Sequence, residues 1–177
     1  MIRPSLLLLS CVCAGCASLT VPAADHGAAG VDFVLVRHAE QAATDPDDPP
    51  LTAAGQARAQ ALADALAGEP LRAIFVTEFQ RTQQTAAPTA QAHRLREQRY
   101  FSRAPAAEQA RQWRSAAHAG TVLVVGHEDS LPELAAALCA CAVAPMDAGE
   151  YDRLMRIHLG AGAAATLAVS RYGAPSP

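Results

Sequence analysis

Lysine is absent from this 177-residue chain: all fourteen of its basic residues are arginine, set against seventeen acidic ones for a formal net charge of -3. In an alanine-rich chain that choice of cation reads as genomic base composition rather than a binding role. No polybasic signal results, so nucleic acid is not an expected partner, because phosphate-backbone binding needs a clustered basic face. Apolar runs are short as well. The one near the start, around Leu6–Ala14, falls well below the roughly 20 residues that span a bilayer. Metal-ligand spacing is also lacking, since His26, His93, His118 and His158 follow no ligand pattern with Cys, Asp or Glu. They read as incidental, and neither metal nor cofactor is expected.

What is present fits one domain with appendages, at roughly 100–200 residues per domain. Met1-Ile2-Arg3 and the apolar run after it read as a signal peptide over residues 1–15. Ala14-Gly15-Cys16 resembles the end of a bacterial lipobox, in which Cys16 is lipidated and becomes the mature N-terminus; Cys13 departs from the leucine usual there. Plain secretion with cleavage after Ala23 is the rival. Either way the domain is expected outside the cytoplasm. With lipidation it is periplasmic, held at the outer membrane only by the anchor. Residues 16–30, rich in Ala, Gly, Ser and Pro, form the tether.

Phe33-Val34-Leu35-Val36 is a buried strand delivering Arg37, His38 and Glu40 at its carboxyl end, where open α/β sheets place ligand sites. Arginine suits phosphate oxygens, and a neutral imidazole beside it serves as nucleophile or base near pH 7. Gln41–Pro50 reads as a loop. Thr52 then caps a helix carrying Leu62 and Leu66 inward, with Gly55 explained by a close backbone approach. Leu71–Val76 is a second strand. Thr77 and Gln80 have capping-box spacing, Arg81-Thr82 and Thr85 lie in the first turns of the next helix, and Pro88 should kink or end it. Arg94, Arg96, Arg99 and Arg103 read as a solvated face, with a short strand near Arg99–Phe101 and a helix over Ala106–Ala117 with Trp113 in the core. Thr121–Val125 is the clearest strand. It ends in Gly126-His127-Glu128, and Ser130 and Glu133 have capping-box spacing before another helix. Strands over Leu154–His158 and Ala165–Ser170 follow, with a frayed end. Cys139 and Cys141 are read as buried free thiols, because residues two apart on a helix diverge and a two-apart bridge in a loop would be strained.

Four features in order, Arg37-His38, Leu51-Thr52 with Gly55, Arg81-Thr82 with Thr85, and Gly126-His127, resemble the histidine phosphatase superfamily, also called phosphoglycerate mutase-like. The resemblance implies a three-layer α/β/α sandwich over residues 31–172, its sheet mostly parallel with one antiparallel strand, and a disordered tail at 173–177. It implies a metal-independent phosphomonoester hydrolase in which His38 forms a phosphohistidine, while Arg37, Arg81 and His127 hold the phosphoryl group. The proton donor stays open between Glu128, beside His127, and Glu78, and neither is a further alternative. Substrates range over phosphorylated small molecules, envelope glycolipids and proteins. A noncatalytic module binding a phosphorylated ligand is the alternative, with a phosphomutase behind it, since the short chain has little sequence to enclose a substrate.

Overall fold

A computed structural model describes residues 30–117, 119–160, 162 and 164–176. The signal peptide, Cys16 and the tether before Gly30 lie outside the described residues. The elements alternate: β1 (Gly30–Arg37), α1 (Ala53–Ala65), β2 (Leu71–Val76), α2 (Gln80–His93), β3 (Glu97–Arg99), α3 (Ala106–Ala116), β4 (Gly120–Gly126), α4 (Leu131–Cys139), β5 (Arg153–Gly160) and β6 (Thr166–Arg171). They build one sheet in the order β3-β2-β4-β1-β5-β6. β1, β2, β3 and β4 pair in parallel, whereas β5 runs antiparallel to both β1 and β6. That is the mostly parallel sheet with one reversed strand that the resemblance implied.

The central strands are apolar on both faces because both faces are covered, unlike the edge strands β3 and β6. Phe33, Leu35, Val122, Val124, Met155 and Ile157 pack with Trp113 of α3 and with Leu131, Leu134 and Leu138 of α4. The alternate residues Val34, Val36, Ile74, Val76, Leu123 and Val125 pack with Leu62 of α1 and Ala86 and Ala90 of α2. Fully burying one such Leu, Val, Ile or Phe contributes roughly 1.5–3 kcal/mol. β4 lies between β1 and β2, which is where the chain order reverses. Register then aligns Val36, Val125 and Val76, so Arg37, Gly126 and Thr77 come level at the carboxyl edge, with His38 and His127 one residue beyond.

Several local expectations are corrected. α2 runs through Pro88 to His93 without ending, because Thr82, Thr85 and Ala86 before the proline and Thr89 and Ala90 after it are all buried. The helix cap there is Phe79, not Thr77. At α4, Ser130 is the cap residue but its hydroxyl makes no capping bond. β3 lies two residues earlier than expected. Cys139 and Cys141 are disulfide-bonded rather than free thiols: α4 ends at Cys139, and Ala140 takes a left-handed conformation (φ 52°) that brings the two Cα atoms to 5.2 Å. The tail expected to fray is held through Ser176, whose Oγ lies 2.8 Å from an Asp152 carboxylate oxygen and accepts from the Tyr151 amide at 2.8 Å.

Candidate active site

Arg37, the last residue of β1, is buried, and its Nη1 donates to three carbonyls of the loop entering β5: Asp147 (3.3 Å), Ala148 (2.7 Å) and Glu150 (3.3 Å). The guanidinium stacks 4.1 Å over the Tyr151 ring. Its Nε comes within 3.2 Å of Glu128 Oε2 at ion-pair distance, yet outside hydrogen-bond geometry, so that N–H remains without a partner. Three carbonyls and a ring therefore fix the plane of the cation before any ligand arrives.

His38 follows at once. Its main-chain N–H donates to Gly126 O across β4, and its ring Nδ1 lies 2.8 Å from Ala39 O. A carbonyl can only accept, so Nδ1 carries the proton and Nε2 is the bare nitrogen. Burial pushes the imidazolium down to about 3; the Ala39 contact opposes this, and His127, Arg37 and Arg81 add to the lowering. His38 is thus neutral at physiological pH, as a nucleophile must be.

Arg81, in the first turn of α2, lies 4.2 Å over the Phe79 ring, with Nη1 3.8 Å from Asp48 and a buried Nε without a partner. Two threonines near it do structural work. Thr85 Oγ1 donates to Arg81 O (2.7 Å) and accepts from the Ala39 amide (2.9 Å), tying α2 to the strand end that carries His38. Thr82 Oγ1 donates to Phe79 O and lies 3.0 Å from Thr77 Oγ1, which in turn lies 3.1 Å from His127 Nε2. With Thr82 spending its proton on a carbonyl, Thr77 donates to Thr82, and His127 Nε2–H donates to Thr77. His127 and His38 meet edge to face, ring centroids 5.3 Å apart. Burial, then Arg81, lowers the His127 imidazolium to about 4 against the opposing pull of Asp129, Glu128 and Glu78.

These groups line one cavity of about 230 Å³, together with Gln41, Phe79, Ser102, Arg103, Glu128 and Asp129. A larger crease of about 1030 Å³ along α3 contains none of the motif residues. The structure thus brings together Arg37, His38, Arg81, His127 and Glu128. Glu78 is not among the lining residues: its carboxylate accepts from the Ser102 amide (2.9 Å) and hydroxyl (2.7 Å). Burial raises its carboxyl, but hydrogen bonds from its own and Ser102 backbone, from the Ser102 hydroxyl and the pull of His127 together bring it below the usual range. Glu40 also faces elsewhere, gripped by Arg58 through Nε (3.0 Å) and Nη2 (2.7 Å). Sequence reasoning missed Gln41, Phe79 and Asp129, each within a few residues of a motif, and Tyr151, which lies far from all four motifs; Arg103 is exposed as expected but also lines the cavity. Among the described residues no group of three or more His, Cys, Asp or Glu is arranged to hold a metal ion.

Residues 33–102 match the Histidine phosphatase superfamily (branch 1). No curated protein matches the sequence significantly. Among solved structures, the protein histidine phosphatase SixA in complex with tungstate superposes with a TM-score of 0.63 at 20% identity, covering 79% of this chain and 96% of its own. A proposed phosphohistidine phosphatase SixA from Nakamurella multipartita gives 0.61 at 23%, covering 83% and 99%. Phosphoserine phosphatase from Entamoeba histolytica, in complex with 3-phosphoglyceric acid, gives 0.60 at 12%, covering 81% and 98%. The match to the superfamily model thus spans residues 33–102, and the chain shares the fold of these solved structures over most of its length.

Proposed function

We propose that the domain is a phosphomonoester hydrolase that works through a phosphohistidine on His38 and needs no metal ion. The observation carrying this reading is the 2.8 Å contact between His38 Nδ1 and Ala39 O, which leaves Nε2 bare at a cavity shared with Arg37, Arg81 and His127. Nε2 attacks phosphorus in line as the ester P–O bond breaks, and the leaving oxygen departs with a proton. Water then attacks the phosphorus, the N–P bond breaks, and His38 returns neutral beside free phosphate. Arg37 and Arg81 supply fixed charge to the equatorial oxygens, with an unpartnered Nε on each as a donor. Glu128, on the cavity wall, is the carboxyl nearest this role of proton donor, whereas Glu78 holds the Ser102 turn.

A tungstate-bound SixA and a phosphoserine phosphatase share this fold, which supports a phosphatase without naming the substrate. We further assign the chain to the periplasmic face of the outer membrane, anchored by acyl groups on Cys16. The test of the reaction is direct. Incubation with a radiolabelled phosphomonoester should put an acid-labile, base-stable phosphate on the wild type, His38→Ala should lose both label and turnover, and EDTA should leave the rate unchanged. A fully active His38→Ala would reject the mechanism, and a wild type inert toward a broad ester panel would favour a phosphate-binding module.

A further inference from the structure

A second cavity, of about 270 Å³, adjoins the phosphoryl site and is lined by Tyr100, Ser102, Arg103, Gln109, Asp129, Ser130 and Glu133 among others. Ser102, Arg103 and Asp129 line both cavities, so a phosphoryl group held at His38 has this second space beside it. One wall is built rigidly. The Glu78 carboxylate takes both the amide and the hydroxyl of Ser102, and the turn closes with Ala104 N–H donating to Phe101 O at 2.9 Å. Tyr100 donates to Val125 O and Gln109 to Gln112, while other polar groups of the wall are left unspent. Ser130 Oγ is buried with no partner, and no hydrogen bond or ion pair engages the Arg103, Asp129 or Glu133 side chains among the described residues.

We propose that this cavity is the leaving-group subsite and that it selects a neutral, polyhydroxylated leaving group, a sugar or polyol; the inference rests on the phosphatase reading. Charge decides the class. One guanidinium stands against two carboxylates, so a leaving group bearing a second phosphate or a carboxylate meets net repulsion. Hydroxyl groups suit the set: Asp129 and Glu133 accept from them, Arg103 donates to them, and Gln109 does both. The size fits a single sugar, below the roughly 300–1,000 Å³ of pockets for drug-sized ligands. Arg103, exposed and lining both cavities, is therefore a specificity residue.

The experiment compares kcat/KM of the purified protein on hexose and pentose monophosphates, p-nitrophenyl phosphate, 3-phosphoglycerate and a phosphohistidine peptide. At least one sugar phosphate should exceed the others by about tenfold, the scale of one hydrogen bond to a charged group. Gln109→Ala and Glu133→Gln should each shrink that margin several-fold, and Glu133→Arg should shift the ratio toward 3-phosphoglycerate, a response that a structural role would not give. Turnover of p-nitrophenyl phosphate with no sugar preference, or with the peptide or the acid preferred, overturns the subsite while the phosphatase reading stands. Loss of turnover on every ester, with no label on His38, overturns both.

Discussion

Two buried histidines facing each other make the site sensitive to protons in a defined direction. His38 and His127 are lowered to about 3 and about 4 from an ordinary 6.5, so between about pH 6.5 and pH 4 the unfolded chain binds protons that the folded one refuses. Stability attached to these groups is fully present above about pH 6.5 and is lost as pH falls through that window. Melting temperature should therefore drop between pH 7 and pH 4.5, and an asparagine at position 38 should make the drop shallower. A bound dianion reverses the preference at His127 by favouring its charged form. Orthovanadate binding should then take up a proton, seen as a dependence of the calorimetric binding heat on buffer ionisation enthalpy, and no such dependence would reject that view. Arg81→Ala removes a fixed stabiliser and should lower kcat by about 10²–10³ whichever ester is used. The residues named here were legible because their spacing after apolar strands is local. The carboxylates were not, since what Glu40, Glu78 and Glu128 face depends on Arg58, Ser102 and Arg37, which are distant in sequence or across the cavity.

At the level of elements, period and caps revealed the strands and helices but not what their ends do. Thr52 does cap α1, accepting from the Gly55 amide at 3.1 Å, and Gly55 is required for the reason expected of it. A Cβ there would collide with the Glu40 carbonyl oxygen, which already accepts from the Thr52 amide at 2.8 Å. Gly55→Ala gains up to about 1 kcal/mol of helix propensity but overpacks backbone against backbone, typically a cost of about 1–3 kcal/mol. The net should be a melting point lower by several degrees, at about 2–4 °C per kcal/mol for a domain of this size; an unchanged melting point would mean that the loop yields freely. The threonine and serine spacings before α2 and α4 misled because neither side chain caps: Thr77 is spent on His127 and Thr82, and Ser130 Oγ is buried without a partner. The paired cysteines were misread because a single left-handed residue, Ala140, is not announced by its type.

The whole molecule ties its last residues back to its first motif. Arg58 grips Glu40 and donates to Tyr172 O (3.1 Å) and Ala174 O (2.8 Å), while Ser176 holds the segment that carries Tyr151 over Arg37. Ending the chain at Tyr172 removes these later contacts, each worth about 0.5–1.5 kcal/mol, and should lower both the melting point and kcat/KM. The opposite end should be dispensable to catalysis. None of the motif residues precedes Arg37, and β1 begins at Gly30 opposite Gly160, so protein expressed from Ala24 should fold and turn over phosphomonoesters like the full chain. What the proposed leader would add is location. A single acyl chain holds a protein marginally, several chains hold it stably, and each buried methylene contributes about 0.8 kcal/mol, so a chain modified on Cys16 should sediment with membranes and the Ala24 form should not. Mass spectrometry of the protein from a host with lipoprotein processing should find acyl groups on an N-terminal Cys16, and an unmodified N-terminus at Ala24 would replace the anchor with secretion.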